Sequence, residues 1–74
     1  MREIIRTNDP VVLSFAEGLL KEAELYPMIA DDNISVMEGS IGAFPKRLLV
    51  HDEVYREARD ILIEAGLGQW ILDA

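Results

Sequence analysis

Between Asp9 and Leu25 the apolar residues Val12, Ala16, Leu19, Leu20 and Ala23 recur three and four positions apart, the period of a helix that buries one stripe. The same spacing returns from Asp52 to Ala65, with Val54, Ala58, Ile61, Leu62 and Ala65. Two amphipathic helices are predicted. Asn8 or Asp9 can accept from the free amides of the first, and Pro10 suits its first turn, where its missing N–H is no loss. Glu17 and Lys21 form a favourable i, i+4 pair on its surface, while Gly18 should cost it about 1 kcal/mol relative to alanine. Asp52 is placed to cap the second helix and Gly66 to close it. A short apolar run with strand chemistry precedes each helix: "EIIRT" at Glu3–Thr7 and "RLLVH" at Arg47–His51.

The two halves also align with one another. Setting "AEGLLKEAELYPMIAD" at Ala16 against "ARDILIEAGLGQWILD" at Ala58 matches Ala16 to Ala58, Leu20 to Leu62, Leu25 to Leu67 and Ile29 to Ile71. If "MIAD" is a strand, "WILD" is expected to be its counterpart. Two strand–helix–strand units give an α+β protein of ferredoxin-like order, β-α-β-β-α-(β), with both helices on one face of an antiparallel sheet. Alternate strand residues point to opposite faces, so the doublets Ile4-Ile5 and Leu48-Leu49 should each leave one apolar side chain on the face without helices. Ile5, Leu49 and Trp70, with Ile71 as an alternative to Trp70, are the candidates for that surface. A homodimer related by a two-fold axis is the commonest way to bury it.

At 74 residues the chain is read as a single domain, residues 1–74, which at this size buries only roughly 60% of the surface its unfolded form exposes. It contains no cysteine. That removes disulfides, thiolate ligands and a thiol nucleophile, and fits a reducing compartment. Fourteen acidic side chains against seven basic ones give a net charge of −7, a field that repels phosphate backbones and anionic lipids. Nucleic acid and membrane are therefore not expected partners. No apolar run reaches signal-peptide length at the start or the roughly 20 residues of a membrane span, so a soluble, cytoplasmic protein is expected.

One stretch fits neither the apolar runs nor the helical faces: "MEGSIGAFPKR", Met37 to Arg47. Gly39 and Gly42 can adopt positive φ, so the amides from Gly39 through Ser40 to Gly42 could line one concavity, with Lys46 and Arg47 adding positive charge. This is the outline of an anion nest, opposed by Glu38, and the alternative is a plain connection between strands. The stretch lacks the glycine-lysine-serine/threonine end of a phosphate-binding loop and has no G-x-G-x-x-G. Glu38 occupies the place where a nucleophile elbow around Ser40 would need glycine. Counted from Asp31, a calcium loop would have Val36 where glycine is required and Gly42 where glutamate is required. His51 is the sole histidine and has no evident nucleophile to serve. Phe15 and Trp70 lack the basic groove of a base-stacking platform, and Asp52–Arg56 and Arg56–Asp60 read as surface helix pairs. No catalytic residue, metal or cofactor is expected.

The runs "TNDPVVLSFAEGLLKEA", "ISVMEGSIGAFPKRLLV" and "EARDILIEAGL" together resemble a family of small bacterial domains known as prokaryotic signal-transducing proteins, especially an alphaproteobacterial branch. The resemblance spans roughly residues 3 to 67. It implies an α+β fold and a regulatory role, with no established reaction, cofactor or catalytic residue. The chain departs from that pattern at Glu24-Leu25-Tyr26-Pro27, where the family has a glycine followed by an isoleucine-proline pair. Two expectations follow: an interaction module working through protein–protein contact, or a sensor of a small anionic ligand at the Gly39 to Arg47 loop.

Overall fold

A computed structural model describes residues 1–31 and 45–72. Three strands, β1 (Arg2–Thr7), β2 (Met28–Asp31) and β3 (Lys46–Val50), form an antiparallel sheet in the order β1-β3-β2. Helix α1 (Pro10–Glu22) joins β1 to β2, and α2 (Tyr55–Glu64) follows β3 after a 3-10 turn at Asp52–Val54. The helices touch each other and β1. Their inward side chains Leu13, Ala16, Leu20, Ala58 and Leu62 join Ile5, Leu48 and Val50 in one core cluster.

The start of α1 follows from its sequence. The Asp9 carboxylate accepts from the amides of Val11 at 2.9 Å and Val12 at 3.4 Å, and Pro10 sits in the first turn. The Asp9 amide in turn donates to the Thr7 hydroxyl at 3.1 Å, tying the cap to the end of β1. Glu17 and Lys21 pair at 3.3 Å. Asp52, by contrast, is not a cap: it lies inside the 3-10 turn, whose capping position is His51 and whose side chains supply no capping bond. The turn winds one residue earlier than the apolar period indicates, closed by the Val54 amide on the His51 carbonyl.

Both helices end in the same way. At α1 the Leu25 amide donates to the Leu20 carbonyl and the Glu24 amide to that of Lys21; at α2 Leu67 donates to Leu62 and Gly66 to Ile63. These are paired Schellman motifs, and each needs a left-handed residue at its turn. Gly66 meets that need at φ 90°, but the equivalent residue in the first half is Glu24, at φ 62°, followed by Tyr26 at φ 53°. The departure noted at Glu24–Pro27 thus leaves β2 in place and stores strain before it. A left-handed conformation costs a residue with a Cβ about 1–2 kcal/mol. Glu24→Gly is accordingly expected to stabilise the protein by about 1 kcal/mol, read as a melting temperature about 4–8 °C higher. An unchanged or lower value would count against strain at that position.

Two expectations about the sheet are corrected. First, Ile5 is not on the open face. Glu3 pairs with Leu49 and Ile5 with Leu48, so Ile4 is an extra residue, a β-bulge. The bulge cancels the alternation, and both isoleucines are 0% exposed within the core cluster. Second, among the described residues "WILD" does not form a strand to match "MIAD". Gly68–Trp70 winds into a 3-10 turn in which Trp70 donates to Leu67 and Ile71 to Gly68, so those amides are spent internally. Among the described residues there, Ile71 alone bridges Ile5, and the Leu72 amide donates to the bulged Ile4 carbonyl at 3.0 Å. Trp70, half-buried, packs against the core cluster.

Candidate functional site

Two surfaces carry side chains whose placement fold stability alone does not require. The first is the sheet face turned away from the core. On β3, Leu48 and Val50 point inward and are buried, so Arg47 and Leu49 point the other way. Leu49 lies between Glu3 of β1 and Met28 of β2, and Arg47 lies between Arg6 and Ala30. Met28 is 53% exposed and Leu49 half-buried. The apolar pair is flanked by a Glu3–Arg6 ion pair at 2.8 Å, bidentate through both carboxylate oxygens. Of the three residues expected at an interface, this face holds Leu49 and gains Met28; Ile5 and Trp70 belong to the core side.

Lys46 and Arg47, expected to act together on an anion, are consecutive strand residues and so leave the sheet on opposite sides. Gly39, Ser40 and Gly42 lie outside the described residues. His51 is exposed just beyond β3.

The second surface was missed in the sequence. The 3-10 turn and α2 place Asp52, Tyr55, Arg56 and Arg59 on one side of a continuous helical segment. The start of β1 adds Arg2, whose guanidinium lies 3.8 Å from the centroid of the Tyr55 ring. These five residues line a cleft of about 390 Å³. The spacing from Asp52 to Arg59 was the available signal, but the residue that completes the cleft comes from the other end of the chain. The expected Asp52–Arg56 and Arg56–Asp60 pairs are not formed among the described residues.

Among the described residues no helix is long and apolar enough to cross a membrane. Nor does any group of three or more histidine or carboxylate side chains there stand ready to hold a metal. A family model described as "Putative prokaryotic signal transducing protein" matches residues 1–66. No curated protein matches the chain.

Proposed function

Because this chain belongs to the prokaryotic signal-transducing protein family matched over residues 1–66, we propose that it is a non-catalytic regulatory module of the cytoplasm that works by binding protein, with a second copy of itself as the partner at the open sheet face. The observation that carries this reading is the juxtaposition of Leu49 and Met28 on the face without helices, with Met28 53% exposed. The Glu3–Arg6 pair beside them supplies both signs of charge at 2.8 Å separation. A two-fold axis can therefore set each copy's carboxylate against the other's guanidinium while the apolar side chains meet. A binding role rather than catalysis is supported by the residue inventory: no cysteine, and a single histidine exposed at a strand end. The fold is read as ferredoxin-like, supported by the order β1-β3-β2 and by Ile71 bridging β1 on its remaining edge, where the fourth strand of that arrangement would lie.

Leu49→Asp places a charge in the middle of the apolar pair. Sedimentation velocity is expected to give the unaltered chain twice its 8.3 kDa mass and the variant the mass of one chain. Two outcomes would overturn this interface: a wild-type monomer at hundreds of micromolar, or a Leu49→Asp dimer. A dimer broken by Phe15→Ser alone would move the contact to the outer face of α1, where Val11 and Phe15 are 73% and 49% exposed.

A further inference from the structure

The geometry points to the cleft between the start of β1 and the first turns of α2 as a binding site for a small phosphate ester that also carries a hydroxyl or amino donor. This goes beyond the association surface and does not depend on it, since the cleft residues lie on the helix side of the molecule.

The charge distribution argues first. The chain carries a net −7 with seven basic residues in all, yet Arg2, Arg56 and Arg59 line one cleft. Gathering like charges opposes folding unless something opposite lies between them. The helix could have relieved this on its own surface, because Asp52 and Asp60 both stand four positions from Arg56. Instead neither Arg56 nor Arg59 has an ion-pair partner among the described residues. Their guanidinium groups remain available to a ligand.

The geometry argues second. The Arg2 guanidinium carbon lies over the Tyr55 ring, 3.8 Å from its centroid, so part of the ordering cost of an arginine clamp is met before any ligand arrives. Tyr55 is only 7% exposed, and its hydroxyl is buried with no hydrogen-bond partner among the described residues. Its role toward the cleft is therefore the ring that positions Arg2. The cleft also sits at the N-terminal end of the segment that continues into α2, where the helix dipole favours an anion. A planar guanidinium fork matches two phosphate oxygens at once, so phosphate fits these side chains better than a monovalent ion does.

Asp52 refines the ligand class. It is the one acid on the lining and would repel a bare anion. A ligand that offers a hydroxyl or amine converts that repulsion into an accepted hydrogen bond. The volume, about 390 Å³, lies in the range of small-molecule sites. A sugar phosphate should thus bind more tightly than inorganic phosphate.

The test is an amide NMR titration of the full chain with inorganic phosphate and with ribose 5-phosphate, at roughly 0.02 M and 0.15 M salt to span the screening range. Saturable shifts are expected at the amides of Asp52 to Arg59, with ribose 5-phosphate the tighter ligand. Arg56→Gln and Arg59→Gln should each weaken it about tenfold, as loss of a charge-assisted bond does. Arg59→Lys should fall between, and Lys21→Gln on α1 should change affinity less than about twofold. Asp52→Asn should strengthen inorganic phosphate while shrinking the advantage of the sugar ester. Circular dichroism of each variant confirms that it is folded. Shifts that never saturate, shifts confined to residues 37–47, or a loss in Lys21→Gln equal to that in Arg59→Gln would each overturn the site.

Discussion

Ile4→Ala and Ile5→Ala should each destabilise the protein by about 2–5 kcal/mol, the usual cost of emptying a buried isoleucine site. A regular strand makes the opposite forecast: one of two neighbouring residues would face outward, and its truncation would cost less than about 0.5 kcal/mol. Equality is expected because the bulge turns both side chains inward to 0% exposure. Typical per-residue stabilities put a domain of this length at roughly 4–11 kcal/mol in total, so either variant would lose a large share of its denaturant midpoint. Urea titration of the pair is the measurement, and a near-neutral result for either would remove the bulge. Deleting Ile4 offers a further check, since every other pairing from Arg2↔Val50 to Thr7↔Lys46 then falls into unbroken register. The deletion should keep the strand and lose stability similar to that of the alanine variant.

Ile71→Asp should cost at least as much. The side chain is 5% exposed and belongs to the core cluster, its backbone bridging Ile5. An unpaired carboxylate there loses the apolar contacts and its own hydration together, typically 3–5 kcal/mol where a buried charge has no partner. The same neighbourhood includes Leu67 and Trp70, and the Leu72 amide bonded to Ile4. The family match ends at residue 66, yet these residues complete the core. Thermal unfolding of Ile71→Asp should show a transition more than about 10 °C below that of the unaltered chain. A shift of only a degree or two would mean that the segment after α2 is dispensable.

Local signals were legible where one residue type determines one geometry. Asp9 and Pro10 marked the start of α1, and Gly66 marked the end of α2, because a cap, a fixed φ and a left-handed turn each have few solutions. The alignment of Leu25 with Leu67 came through as matching helix ends in three dimensions. The same alignment misled three residues later, at Trp70: an apolar pattern does not separate a strand from a 3-10 turn, and Gly68-Gln69-Trp70 wound up. The open face was half legible. Alternation identified Leu49 correctly by its parity, but failed at Ile5 because a single inserted residue inverts parity and leaves no mark in composition. The arginine cleft was hidden for another reason. Its charges were weighed as i, i+4 pairs along a helix, whereas the surface that unites Arg56 and Arg59 with Arg2 exists only once β1 is docked.

The strand order has a consequence for how the chain folds. β3 lies between β1 and β2, so the first half contains two strands that never touch and the second half holds the strand that joins them. Among the described residues neither half closes a ladder alone, so the repeat seen in the sequence is not a pair of independently folding units. The pairing of Arg2 with Val50 must await closure of nearly the whole intervening chain, a step whose entropic cost precedes its contacts. The rate-limiting barrier is thus expected to be the arrival of β3 in the gap, with α1 able to flicker into shape beforehand. Two separately made fragments divided between β2 and β3 should each be largely unstructured and should fold on mixing, at a rate set by their concentration.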